Sequence, residues 1–249
     1  MPIHDSGRME FSIDSGYINI VADNGHTVPA YWAHPRVGKK FSGICLLHDW
    51  WGMNEVARLL ANFFAQVGYY VIAPDMFHGA TCDTPKQAMK LLKKTEASRY
   101  NAVDAALTVL ESHHHTNRTV AAIGMGMGGT LAFEAAIKRD DLETAITYGG
   151  FPQQYFGQFA RSNTPIMALF GSNEPFIKAP AIEKLSAELA ATDLKDQHEV
   201  IVIENAGHEF FFEESTDKTQ MIGKEVINHT LRYLENYLEV AEHQRKTPL

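Results

Sequence analysis

The run Ile123-Gly124-Met125-Gly126-Met127-Gly128-Gly129 has the spacing of a nucleophile elbow, the strand-to-helix turn that offers a serine or cysteine to a substrate carbonyl. Gly126 stands at its tip and has no side chain with which to form an acyl-enzyme. Moving the register by two residues puts Gly128 at the tip, again a glycine, and the thioethers of Met125 and Met127 carry no ionisable proton. Further along lie Glu174, after the apolar run ending Phe170-Gly171, and His208, in Ala206-Gly207-His208-Glu209-Phe210. A carboxylate can hold an imidazole in its proton-accepting tautomer and stabilise the imidazolium that results. Tip, acid and histidine follow one another in the order that α/β-hydrolases use.

The chemistry of such a site also needs two backbone N–H groups facing a developing oxyanion. Met127, next to the tip, is one expected donor, and Trp50, in the loop after the third strand, is the other. Neither depends on side-chain identity. Asp49, Trp50, Trp51 and Met127 are the expected pocket residues. Asp49 has a competing role as cap of the following helix, which Asn54 also suits.

Other chemistries fit less well. The glycine run resembles part of a dinucleotide fingerprint, but it does not lie in the first βα turn and has no basic residue close by. His113, His114 and His115 form a run at a helix end, where imidazoliums complement the helix dipole; metal binding needs more convergent ligands. Asp49, Glu174 and His208 have no spacing that favours a metal over a residual triad. Cys82, in a loop after Asp75, is read as a surface cysteine, with a migrated nucleophile as the alternative. No metal and no cofactor are expected.

These residues need a scaffold. Residues 17–21 and 28–33 read as a hairpin turned near Asp23-Asn24-Gly25. Residues 43–48 are a continuous apolar run, as in a buried parallel strand. Val56, Leu59, Leu60, Phe63, Phe64 and Val67 form one helical stripe, ended by Gly68. A strand over 69–73 follows, and Thr84-Pro85-Lys86-Gln87 has the form of a capping box with proline at the first helical position. Helical sequence runs on with a break to about Ser112, then a strand over 119–123, the elbow, and a helix to Lys138. Strands over 145–148, 165–170 and 199–203, a helix over 181–191 and a last helix through Ile227, Leu231, Leu234 and Leu238 complete the pattern. Such alternation predicts an α/β protein with a mostly parallel sheet and helices on both faces. His48, Asp49, Asp75, Gly126, Glu174 and His208 all follow strand ends, so one crevice is expected to collect them.

Bulk properties narrow the partners. A net charge of −8 argues against nucleic acid or an anionic membrane surface. No apolar run approaches the roughly 18 residues of a membrane span. Residues 1–8 carry no export-type hydrophobic stretch, so the cytoplasm is the expected compartment, and Cys45 and Cys82 are expected as thiols. One domain over residues 1–249, without a large cap, is the expected organisation.

Five segments taken together resemble the dienelactone hydrolase family: 47–54 (Leu-His-Asp-Trp-Trp-Gly-Met-Asn), 73–77 (Ala-Pro-Asp-Met-Phe), the elbow, 170–176 (Phe-Gly-Ser-Asn-Glu-Pro-Phe) and 206–210. The resemblance implies an α/β-hydrolase fold and a triad that opens lactones and related esters. By it, the family's cysteine position maps to Gly126, its aspartate to Glu174, its histidine to His208, and a glutamate near the nucleophile to Asp49. Two functions compete on these residues. One is a pocket that binds a small ester, lactone or carbonyl compound without cleaving it. The other is slow catalysis in which His208 and Glu174 activate water directly, with an isomerase or lyase acting on a carbonyl compound as a third use of the same base.

Overall fold

The computed structural model describes residues 8, 10–22, 25–208, 210 and 217–239, with backbone alone for 217–222. Eight strands form one sheet in the order β1-β2-β4-β3-β5-β6-β7-β8. They are β1 (Ile13–Val21), β2 (Thr27–Pro35), β3 (Phe41–Leu47), β4 (Tyr70–Pro74), β5 (Thr116–Met125), β6 (Thr144–Tyr148), β7 (Ile166–Gly171) and β8 (Glu199–Ile203). β2 runs antiparallel to β1 and to β4, and all other pairs are parallel. The hairpin is therefore present, although its turn residues Asp23 and Asn24 lie outside the described residues. The helices are α1 (Glu55–Gln66), α2 (Pro85–Thr95), α3 (Arg99–Ser112), α4 (Met127–Lys138), α5 (Ala179–Ala190) and α6 (Asp217–Tyr237).

Two apolar clusters fill the sheet's two faces. One joins Leu107, Leu110, Phe133, Phe159 and Leu185 beneath α3, α4 and α5. The other joins Leu60, Phe64, Ile123, Leu169, Ile227 and Leu231 beneath α1 and α6. β3 is buried at every position because helices cover it on both sides, which explains its unbroken apolar run.

Local signals formed as their chemistry dictates. Thr84 Oγ1 accepts from Gln87 N, and Gln87 Oε1 accepts from Thr84 N, closing the capping box of α2. Asn54 Oδ1 accepts from Ala57 N at 3.1 Å and so caps α1, the role for which Asp49 competed. The α1 stripe needs one correction. Leu59 is exposed, and Ala57, Ala61 and Ala65 are buried instead. Alanines at those positions let the helix lie close to the sheet, and this rotates the buried face away from Leu59.

The sheet order positions the site. The chain leaves β3 toward β4 on one side and returns through β5 on the other, so the order reverses between β3 and β5. Crevices at strand carboxyl ends open at such reversals. Leu47 pairs with Gly124 across β3 and β5, which brings the loop starting at His48 beside the elbow starting at Gly126.

Candidate active site

Gly126 adopts φ 49° and ψ −109° between β5 and α4. This is a left-handed, strained conformation in which a side-chain-bearing residue costs about 1–3 kcal/mol. The turn is tied down on both sides. Gly126 N donates to Tyr148 O at 2.8 Å, Thr130 Oγ1 donates to Gly126 O at 3.1 Å, and Phe151 N donates to Thr130 Oγ1 at 2.9 Å.

The two expected oxyanion donors do converge, but on a group of the protein itself. Trp50 N donates to Asp49 Oδ1 at 2.6 Å and Met127 N donates to the same oxygen at 2.9 Å. A Cβ built on Gly126 would fall 2.2 Å from Asp49 Oδ1, 2.6 Å from Cγ and 2.7 Å from Oδ2. The Asp49 carboxylate therefore occupies the space where a side chain at 126 would begin.

His208 and Glu174 meet. His208 Nδ1 lies 2.6 Å from Glu174 Oε2, and Glu174 Oε1 accepts from Phe176 N at 2.8 Å and Ile177 N at 3.3 Å. Burial pushes the Glu174 carboxyl up, but the bonds from His208, Phe176 and Ile177 outweigh it and hold the group below the usual carboxylate range. An ionised Glu174 accepts from Nδ1–H, which leaves Nε2 as the basic atom of the imidazole. The His208 ring packs on Gly149, where a Cβ would lie 3.0 Å from its Cε1. Gly149 also has φ 63°, so both space and backbone favour glycine there. Phe151 and Phe176 flank the ring at centroid distances of 5.8 and 5.1 Å. Gly149, Phe151 and Thr130 did not emerge from the sequence, and Phe176 did so only as the last residue of the 170–176 segment; a Gly-Gly pair directly after β6 was a signal available for Gly149.

His48 and Asp75 do not line the crevice as expected. His48 is fully buried, with Nδ1 donating to Asp49 O at 2.7 Å and Nε2 accepting from Met76 N at 3.1 Å. It fixes the backbone of Asp49 from beneath. Asp75 accepts from Phe77 N at 3.0 Å and Gly79 N at 2.6 Å, which shapes its own loop. Trp50 packs edge-on to Trp51 with centroids 5.1 Å apart. Trp51 lines a groove of about 600 Å³ with Met53, Asn54, Arg58, Thr81 and Cys82, and none of Asp49, Gly126, Glu174 and His208 borders it. Cys82 lines this open groove with little of its own surface exposed, and burial together with Asp83 raises its thiol pKa, so it is a poor nucleophile. Both cysteines are free thiols.

The histidine run packs ring against ring. The His113 ring packs on Tyr70 at 4.7 Å, and His114 lies 4.1 Å from His115. Burial, followed by the neighbouring imidazoles, lowers the pKa of both His113 and His115, so at neutral pH they are not the cations a helix dipole would favour. Among the described residues, no three His, Cys, Asp or Glu side chains stand together so as to hold a metal ion. No described helix is long and apolar enough to cross a membrane.

The buried His48 and the half-buried His198 set a pH dependence. Burial lowers the pKa of His48 against the opposing pull of the Asp49 carbonyl and Asp75, and burial lowers that of His198 to about 4. Unfolded, both rings bind protons near pH 6.5. Below that pH the unfolded chain holds more protons than the native one, so stability falls with pH. Depressed Glu174 acts in the same direction below its ordinary 4.5. The urea midpoint is expected to drop between pH 7 and pH 5, and to drop less in His198→Gln. Equal drops in the two proteins would remove His198 from the account.

The elbow, the reversal point and the residue order define an α/β-hydrolase fold. The solved structures agree. A dienelactone hydrolase-like promiscuous phosphotriesterase from metagenomic libraries superposes with a TM-score of 0.77 at 16% identity, covering 92% of this chain and 100% of that one. Dienelactone hydrolase from Anabaena variabilis ATCC 29413 gives 0.64 at 16%, covering 91% and 99%. The dienelactone hydrolase family model matches residues 28–238, and the chain belongs to that family. Among curated relatives, Protein usf of Aquifex pyrophilus is 26% identical over 86% of this chain and 96% of its own length. Carboxymethylenebutenolidase of Rhodococcus opacus is 26% identical over 80% and 82%.

Proposed function

We propose that this protein is a single-domain member of the dienelactone hydrolase family whose pocket takes a small ester, lactone or carbonyl compound. We further propose that hydrolysis through an acyl-enzyme at position 126 has been lost. One observation carries the reading: both N–H groups that would hold a substrate oxyanion already donate to Asp49 Oδ1. Gly126 brings no nucleophile, and the hole beside it is filled by an anion that would repel a second one.

The Glu174–His208 pair supports a second reading, in which His208 activates water for direct attack on an ester. That route requires the same two N–H groups for its tetrahedral intermediate, and Asp49 holds them. We therefore place binding without ester cleavage first.

The test is hydrolysis of 4-nitrophenyl acetate and of γ-butyrolactone, with thermal shift by the lactone measured alongside. The expected result is turnover at the buffer rate and a rise in melting temperature with lactone. Turnover that disappears in His208→Ala would replace the first reading with water activation. Absence of both turnover and thermal shift would remove the small-lactone pocket.

A further inference from the structure

We infer that Asp49 is itself a nucleophile, and that the site displaces a halide from a saturated carbon of a small apolar organohalide. The inference rests on the reading above that residue 126 supplies no nucleophile.

A filled oxyanion hole can still serve the group that fills it. With Asp49 Oδ1 held by Trp50 N at 2.6 Å and Met127 N at 2.9 Å, the hole cannot stabilise an oxyanion on a substrate carbonyl. It can stabilise one on Asp49. That is useful only if Cγ of Asp49 becomes a tetrahedral centre, which happens when an ester of Asp49 is hydrolysed. An ester of Asp49 forms without need of an oxyanion hole when the carboxylate attacks a saturated carbon, because the charge then leaves with the departing group. The arrangement thus matches displacement at saturated carbon and mismatches acyl transfer.

Position agrees with this. The carboxylate stands where the elbow's own side chain would begin, and Gly126 has no Cβ to exclude it. The backbone of Asp49 is held by His48 Nδ1 at 2.7 Å from its carbonyl oxygen. The backbone of Asp49 is thus held by His48 and its Oδ1 by two N–H groups, and attack by an oriented group gains from that orientation. His208 rests on Gly149, adjacent in the chain to Tyr148, whose carbonyl accepts the Gly126 N–H. His208 thus packs at the end of β6 and the Asp49 carboxylate at the end of β5, neighbouring strands of the sheet. Phe151 and the exposed Phe176 flank the His208 ring at 5.8 and 5.1 Å and place apolar surface beside the base.

The steps balance. Asp49 Oδ2 attacks the carbon bearing the halogen; the new C–O bond forms as the carbon–halogen bond breaks, and halide leaves with the electron pair. Water then adds to Asp49 Cγ while His208 Nε2 takes its proton, and the negative charge on Oδ1 is held by Trp50 N and Met127 N. Collapse of this intermediate expels the alkoxide, which takes the proton from His208 and departs as the alcohol. Asp49 returns to its carboxylate by releasing one proton to solvent. The sum is organohalide plus water giving alcohol, halide and a proton. One oxygen of Asp49 now comes from water.

The test uses phenacyl bromide with the full-length protein. His208→Ala should trap the ester, and peptide mass mapping should find it on Asp49 with about 10-fold or greater enrichment over surface carboxylates, as expected for an oriented group. Asp49→Asn in the same background should lose that adduct. The natural protein, in H₂¹⁸O with protein in excess, should place ¹⁸O in Asp49. Adducts confined to Cys45, Cys82 or surface groups, together with no ¹⁸O in Asp49, overturn the inference. Parallel 4-nitrophenyl acetate assays separate the two readings. Ester turnover by the natural protein defeats the proposed loss of ester hydrolysis, whereas an absent adduct without ester turnover defeats Asp49 as nucleophile alone.

Discussion

Gly126→Cys alone is expected to leave the protein without measurable ester hydrolysis, whereas Gly126→Cys combined with Asp49→Ala is expected to raise it at least about 100-fold over the natural protein. The reason is spatial before it is chemical. A Cβ at 126 would lie 2.2 Å from Asp49 Oδ1, so thiol and carboxylate cannot share the site in this arrangement. Even if Asp49 swings aside, its charge opposes both thiolate and oxyanion nearby. Removing the carboxylate returns Trp50 N and Met127 N to the substrate, and a single such donor is worth about 10²–10³ in kcat. Glu174 and His208 are already paired at 2.6 Å to activate the thiol. The measurement is kcat/KM for 4-nitrophenyl acetate in both variants, with His208→Ala added to the double variant as a control that should abolish the gain. Equal activity of the single and double variants would show that Asp49 does not block the site.

Gly128→Ala should be among the most destabilising single-methyl substitutions in the chain, by about 3 kcal/mol or more. On propensity alone, alanine in a helix gains up to about 1 kcal/mol over glycine. Here the first turn of α4 rests directly on the end of β3. A Cβ at 128 would lie 2.2 Å from Leu47 O, 2.6 Å from Leu47 C and 2.7 Å from His48 O. These are backbone atoms of a strand buried on both faces, with no flexible tip to turn away. The overlap wins over the propensity gain, and relief requires α4 to move off β3, opening the elbow. For a protein of this size the melting temperature should fall by roughly 6–12 °C. Asp49→Ala should not rescue it, because Asp49 is not among the atoms met. A neutral or stabilising Gly128→Ala would mean that α4 is free to shift, and the close placement of Met127 N and Asp49 would lose its support.

Much of this scaffold was readable residue by residue. Periodicity marked the helices, apolar runs marked the parallel strands, and Thr84-Pro85-Lys86-Gln87 announced the start of α2. These signals are local: hydrogen-bond satisfaction and burial of one face are decided within a few residues of chain. The order elbow, Glu174, His208 was equally legible, as was the vacancy at Gly126, because chain order and residue type are properties of the sequence itself. The misplaced features share a different cause. Leu59 fits the α1 stripe by spacing, yet the alanines decide which way the helix rolls. His48 and Asp75 follow strand ends as Asp49 does, but their side chains turn into the loops, where backbone N–H and C=O groups need partners. Cys82 N donates to Trp51 O at 3.1 Å, which draws its loop against the one carrying Trp51.

The sequence by itself therefore determined an α/β sheet with glycine at the tip of a strand-to-helix turn, followed by an acid and a histidine in the order that α/β-hydrolases use. Only the tertiary structure decided what fills the empty place. Asp49 and Gly126 are far apart in the chain, and nothing local relates them. They meet because β3 pairs with β5 at the point where the strand order reverses. Two backbone N–H groups from those two loops then converge on one oxygen, and a carboxylate is the group that satisfies both.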